Sequence, residues 1–397
     1  MIPQKQLSLA DIFEDCKNIF DFDKPQFLSL LEKHIDLDEI IPTSFFNHYY
    51  AATGRNRKYP LTAMLWTLII QRLFSIPTDS LLLIFLHYSR PLRDFCGFNK
   101  VPDASKITRF KQDFLPDLQS VFDNLVDITE PICRNIDSNL ASMLLFDTSG
   151  IEAYVTENNP KYANRIIKQL KAYARSNNFN SSYDPYKAAY AAMPTSASSN
   201  HEVKQQYING HFCYAYKFGI TTNGLGIVRS IDFYNKDYIA SHPDIVVEKK
   251  SKSPDEDKSL ADSKALLSTM KFVCPKMKWE YNRQNKSSRR VCHCENPCTT
   301  SSCGRMIYVY PEKNLRAYPG VERGSKEWDK TYKIRVNVEK SINHFKDSFC
   351  VANRKTTNEK TLHADLLLSG ISQLLTVMVA DKINQRQHIR SLKSFIA

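Results

Sequence analysis

Residues 361–383, TLHADLLLSGISQLLTVMVADKI, are apolar almost without a break over the length of a helix. A helix that is apolar all round has to be packed inside a core, so the chain must supply elements to cover it. Its 397 residues are too many for one compact core, and two or three domains are expected. The runs LTAMLWTLII (61–70) and LLLIFL (81–86) stop well short of the roughly 18 residues that suggest a membrane span. The opening MIPQKQLSLADIFED lacks the apolar segment of a secretory signal. The reading is a cytoplasmic chain with no membrane partner. In that compartment its ten cysteines are expected as reduced thiols or metal ligands, not disulfides.

Residues 1–130 read as an all-helical domain. LADIFEDCKNIFDF and PQFLSLLEKHI carry apolar residues at spacings of three and four. Pro60 opens the next helix, the Thr78-Asp79-Ser80 run precedes another, and Asp103 or Ser105 caps PDASKITRFKQDF. The texture changes at 141, where ASMLLFDTSG reads as a buried strand with Asp147 at its C-terminal end. KYANRIIKQLKAYARSN (161–177) is a basic helix. HFCYAYKFGITTNGLGIVRSIDFY (211–234) is a hairpin, with Asn223-Gly224 as its turn pair. SKSPDEDKSLADSK (251–264) is a charged linker.

Lys and Arg total 54 against 42 Asp and Glu, a net charge of +12 that favours an anionic partner, nucleic acid first. YKIRVNVEKSINHFK (332–346) concentrates that charge around one acid, Glu339. On a helix, Tyr332, Arg335, Glu339 and Lys346 fall within an arc of about 60°, while Ile334, Val338, Ile342, Phe345 and Phe349 form a separate apolar face. By geometry alone this is an amphipathic surface helix with an i,i+4 ion pair, Arg335 to Glu339. The pattern Y-x2-R-x3-E-x6-K, however, is matched without a gap. It resembles the signature of bacterial insertion-sequence transposases with a DDE catalytic core. LLFDTSG looks like the strand of that family's first Asp, and residues 53–114 resemble its helical N-terminal region.

The resemblance implies an α/β RNase H-like catalytic core with a cysteine-rich insertion, preceded by the all-helical N-terminal domain. The expected divisions are 1–130, helical and DNA-binding; 131–265, the first part of the core; 266–325, the cysteine-rich insertion; and 326–397, the catalytic helix and a packing helix. Asp147 and Glu339 would be catalytic ligands of Mg²⁺ or Mn²⁺, which activates a hydroxyl and stabilises a leaving oxygen in phosphodiester cleavage. Tyr332, Arg335 and Lys346 would position DNA. The partners would be the inverted-repeat ends of the mobile element and its target. The chain would act as a homo-oligomer on DNA, in the nucleoid. Basic residues around Arg55, Arg57, Lys58, Lys106 and Arg109 are candidates for recognising the terminal sequence.

The family's second Asp has no clear counterpart. The interval 263–328 contains no Asp. Asp262 is the weak candidate, and Asp232 and Asp244 are weaker. The plainer hypothesis is an internal deletion between about 264 and 275, which would leave an inactive copy. Two functions therefore stand open: a transposase, or a non-enzymatic DNA-end-binding remnant or repressor derived from one. A different two-metal nuclease on the same fold is a third.

Cys274, Cys292, Cys294, Cys298 and Cys303 cluster in the insertion. Four of them would make a structural Zn²⁺ site, but the C-x-C-x3-C-x4-C spacing is not a paired knuckle, and reduced thiols remain the other reading. Arg283, Lys286, Arg289, Arg290 and Arg305, with Trp279 and Tyr281, make this segment either a DNA contact or a charged solvated loop. The chain has no phosphate-binding G-x4-G-K-[ST] loop, no G-x-G-x-x-G and no H-E-x-x-H.

Overall fold

The computed structural model describes residues 25–51, 53, 56–177, 183–208, 211–235, 270–273, 276–282, 287–295, 299–302, 304, 306–309 and 326–396. The chain divides into two compact units, one comprising Met1–Val246 and Arg335–Ala397, the other Val247–Ile334. The helical region and the first part of the expected core thus belong to one unit.

The first unit begins with α1 (Gln26–His34), α2 (Leu37–Ile40), α3 (Thr43–Tyr49), α4 (Leu61–Leu73), α5 (Asp79–Tyr88), α6 (Arg90–Cys96), α7 (Ala104–Asp113), α8 (Leu115–Ile136) and α9 (Ser138–Ser142). Local chemistry sets several of the starts. Pro60 precedes α4. Thr78 Oγ1 accepts from Leu81 N at 3.2 Å, and Asp103 Oδ1 accepts from Lys106 N at 3.1 Å, so both helices begin on a side-chain cap. Then come β1 (Leu144–Glu152), α10 (Pro160–Ser176), α11 (Pro185–Ala192), β2 (Lys204–Ile208), β3 (His211–Asn223) and β4 (Val228–Tyr234). The second unit holds β5 (Met270–Val273), β6 (Met277–Asn282), β7 (Ser287–Cys292) and β8 (Met306–Val309). In it β5 pairs β8 and β6 pairs β7, both antiparallel. Helix α12 (Lys326–Asn343) belongs to the second unit through Ile334 and to the first from Arg335, and α13 (Glu359–Lys382) follows in the first.

Helix α13 is the apolar stretch of residues 361–383. It is long and apolar enough to cross a membrane, yet 94% of its apolar window is buried within the protein. It packs on α8, α4, α7 and β4, so helices and sheet share one spine. The cost of burying polar groups beside that spine is offset by pairing. Asp365, fully buried in α13, meets Arg72 of α4, Lys111 of α7 (2.8 Å) and Arg354 (2.7 Å), while Asp79 of α5 meets Lys111 (3.1 Å) and Arg354 (2.5 Å). Burial opposes ionisation of both acids, but the cations around them hold both carboxyls well below the usual range.

In the four-stranded antiparallel sheet β3 is central, with β1 along one side and β2 and β4 sharing the other. The expected hairpin is present, but its turn is longer than an Asn-Gly pair. Asn223 Oδ1 accepts from Leu225 N and Ile227 N, and Gly226 supplies the positive φ of 78°. Strand β1 also outruns the expectation. It continues through Asp147 to Glu152, because Thr148, Ser149 and Gly150 pair with Gly219, Phe218 and Lys217. A Cβ at Gly150 would stand 2.0 Å from Ile208 Cδ1, so a larger residue there would have to displace that side chain.

Candidate functional site

Helix α12 is seated by the β3–β4 turn. Asn337 Nδ2 donates to Gly224 O at 2.7 Å and Ser341 Oγ to Gly226 O at 2.6 Å. The same turn is held from α13, where Gln373 Oε1 accepts from Val228 N at 2.9 Å. Val338, Ile342 and Phe345 are buried beneath. This apolar face leaves Arg335 and Glu339 on the flank of the helix. Asn337 and Ser341 had no part in the sequence reading; their one signal is an i,i+4 polar pair flanking an apolar face.

On the sheet, Asp147 is a quarter exposed, and its Oδ1 accepts from Thr148 N at 2.9 Å, which fixes one carboxylate oxygen. Arg335 Nη2 lies 4.0 Å from Asp147 Oδ2 and 3.9 Å from Glu339 Oε1. Both contacts involve one nitrogen, so the two carboxylate oxygens stand no more than 7.9 Å apart, the two distances laid end to end. The structure therefore brings together Asp147, Arg335 and Glu339. Their side-chain exposures of 25%, 41% and 50% leave the group open to solvent and to a ligand.

Tyr332 is about half exposed, on the portion of α12 that belongs to the second unit. Lys346 is half-buried, beyond the end of the regular α-helix. The α-helix ends at Asn343, and residues His344–Ser348 form a wider π-helical turn, which shifts every later side chain from a 100° projection. Burial lowers the Lys346 pKa, countered by the charges of Asp347, Glu152 and Cys213. Glu152 is five residues along β1 from Asp147, about 17 Å at about 3.4 Å per residue.

Asp232 is excluded as a partner of Asp147 by register. Residues opposite one another in an antiparallel pair share a face. Asp147 faces Ile220, which faces Ile231, and Ile231 is buried. Asp232, opposite Gly219, is exposed on the other face. Asp244 and Asp262 lie outside the described residues, and among those residues no group of three or more His, Cys, Asp or Glu is arranged to hold a metal. Of the cysteine cluster, Cys292 closes β7 and Cys294 follows it, both half-buried and neither in a disulfide, with His293 Nε2 3.0 Å from Glu280 Oε1. Cys274, Cys298 and Cys303 lie outside the described residues, as do Arg283, Lys286, Arg305 and, in the helical region, Arg55.

Asp147 and Glu339 are a donor set suited to a hard divalent cation. Mg²⁺ is commonly held by one or two carboxylates, with water and substrate phosphate completing its shell. Two ions about 3.5–4 Å apart, each about 2.1 Å from its oxygen, link carboxylate oxygens up to about 8 Å apart, within the bound above. Arg335, between the acids, already neutralises part of their charge.

Comparison with known families adds an independent observation. A family model described as a transposase domain (DUF772) matches residues 16–113, the stretch that takes in α1 to α7. No curated protein and no solved structure matches the chain. The match supports a transposase-related chain.

Proposed function

We propose that the chain is a DNA transposase of the DDE type, on an RNase H-like core, and that Asp147, Arg335 and Glu339 form its cleavage centre. The observation that carries this reading is the convergence of a strand carboxylate and a helix carboxylate on one guanidinium nitrogen. The transposase-domain match in the helical region supports it separately. Asp147 and Glu339 would hold Mg²⁺ or Mn²⁺, which when bound supplies an activated hydroxyl and stabilises the leaving oxygen. Arg335, at the mouth of the pair, would take a phosphate of the scissile strand and orient it toward the carboxylates. Thr148 N–H keeps one Asp147 oxygen fixed, so the other faces the DNA and the cation. Tyr332 and Lys346 remain in this reading as DNA-positioning residues on either side of the centre in sequence. Assembly as a homo-oligomer on the mobile element's ends, a cytoplasmic, nucleoid-associated location and a structural Zn²⁺ in the cysteine-rich segment belong to the same proposal.

A second reading is favoured by one observation: with Asp232 on the far face, no third carboxylate joins the pair among the described residues. The chain would then bind element ends without cutting them and repress active copies. Measuring binding and nicking separately, on supercoiled plasmid bearing the DNA that flanks the coding sequence, divides the two. Nicking that requires Mg²⁺ or Mn²⁺ supports the transposase. Tight, salt-sensitive binding with no nicks in either metal supports the repressor.

A further inference from the structure

Three consecutive carbonyls of the β3–β4 turn each accept a side-chain hydrogen bond from another element. Asn337 Nδ2 of α12 donates to Gly224 O at 2.7 Å, and Arg390 Nε donates to Leu225 O at 2.8 Å. Gly226 O accepts from Ser341 Oγ of α12 at 2.6 Å and from Gln373 Nε2 of α13 at 3.4 Å. Gly224 N in turn donates to Leu140 O of α9 at 2.8 Å.

The turn holds its own shape. Asn223 Oδ1 accepts from Leu225 N at 3.1 Å and from Ile227 N at 3.0 Å, and Gly226 N donates to Asn223 O at 2.9 Å. Gly226 also lets α12 come close, since a Cβ there would stand 3.3 Å from both Asn337 O and Ser341 Oγ. Its φ of 78° disfavours any other residue as well.

The place of this anchor on α12 gives it a role. The α-helix is regular from Lys326 to Asn343. At about 100° per residue, Asn337 and Ser341 lie at about 160° and 200° from Glu339, and Arg335 at about 320°. The helix is thus pinned, one turn apart, on the side opposite Glu339. Val338 and Ile342 are buried on the flank between the pins and Arg335. Apolar packing is non-directional, so it fixes the depth of the helix better than its rotation. Two directional hydrogen bonds resist a roll about the axis. With its side chains a helix has a radius of about 5–6 Å, so a roll of about 20° would move the Glu339 carboxylate by about 2 Å, the length of a Mg–oxygen bond.

We propose that Asn337 and Ser341 are positioning residues of the cleavage centre. By pinning α12 to the β3–β4 turn they set the rotation at which Glu339 and Arg335 meet Asp147. The proposal rests on the reading of Asp147 and Glu339 as metal ligands.

The test uses the full-length chain, with Mn²⁺ titrated calorimetrically into DNA-free protein and nicking measured at saturating DNA. Asn337→Ala and Ser341→Ala each remove one donor, and Ala is a strong helix former. Each is expected to weaken Mn²⁺ binding about tenfold or more, the usual cost of losing a group that orients a metal ligand. Nicking at saturating DNA should fall likewise, with DNA affinity within about twofold, so the loss is in rate and not in binding. Ser372 is the control: it is as buried as Ser341, but its hydroxyl donates to Leu368 O of its own helix at 2.8 Å. Ser372→Ala should leave Mn²⁺ affinity unchanged. Should Ser341→Ala fail to fold, Asn337→Ala, at a half-buried position, carries the test. An equal loss of Mn²⁺ affinity in Ser372→Ala would mean general loosening and would overturn the proposal. Mn²⁺ binding weakened by Glu339→Gln but by neither Asn337→Ala nor Ser341→Ala keeps the centre and overturns the positioning role. Mn²⁺ binding indifferent to Glu339→Gln removes the centre itself, and the proposal with it.

Discussion

Arg335 Nη2 stands 4.0 Å from Asp147 Oδ2, joining a helix to the middle of a strand far away in sequence, and the same nitrogen stands 3.9 Å from Glu339 Oε1. The guanidinium occupies the position from which a cation would serve both acids. If Asp147 and Glu339 hold a divalent ion, as proposed, the guanidinium would compete with it for the same charge in DNA-free protein.

That competition gives the first prediction. Arg335→Ala should tighten Mn²⁺ binding to DNA-free protein. The pairs are solvent-exposed, so the gain is modest, about 1 kcal/mol or less, or about fivefold. Calorimetric titration with Mn²⁺ measures it, and Asp147→Asn should abolish the gain. Equal Mn²⁺ affinity with and without the guanidinium would mean that it does not stand in for a metal.

The buried charges at the spine give the second. Asp365→Asn leaves Arg72, Lys111 and Arg354 buried with Asp79 as their one remaining carboxylate. Removing one partner from a buried ion network costs about 3–5 kcal/mol. The midpoint of urea unfolding should drop accordingly, since the network ties α4, α5, α7 and α13 together. A loss below about 1 kcal/mol would show that the network is solvated.

Two histidines set the third. Burial, joined at His344 by the nearby Lys393 charge, lowers His344 and His363 each to about 4, from the ordinary 6.5. A depressed folded value means the neutral form is the one the fold holds. The stability each contributes is present above about 6.5 and is lost as pH falls toward about 4. At about 1.36 kcal/mol per unit this is on the order of 3 kcal/mol per histidine. Unfolding free energy should fall across that window, and His363→Phe should flatten part of the fall. A profile flat from pH 7 to about 4.5 would contradict the assignment.

Much of this arrangement follows from local pattern. The apolar run at 361–383 demanded burial, and it became the spine. The caps at Thr78 and Asp103 start their helices, and the apolar face Val338, Ile342, Phe345 turns Arg335 and Glu339 outward. Other features depend on contacts that sequence spacing does not encode. The strand is expected to end at Asp147, yet Thr148, Ser149 and Gly150 continue it by pairing with Gly219, Phe218 and Lys217 of β3. The helix widens after Asn343, so a regular 100° projection does not carry from Glu339 to Lys346. Asp365 looks out of place in an apolar helix until Arg72, Lys111 and Arg354 converge on it from other segments. Asp232 is ruled out by sheet register, which spacing within one strand cannot supply.

The most direct test is nicking of plasmid carrying the flanking DNA, with Mg²⁺ or Mn²⁺, by the unaltered chain, Asp147→Asn and Glu339→Gln, with DNA affinity measured in parallel. If the two carboxylates hold the catalytic cation, each substitution should reduce nicking by about 100-fold or more and leave DNA affinity within about twofold. Nicking that persists in both variants, or that needs no divalent ion, would contradict a cleavage centre built on Asp147 and Glu339.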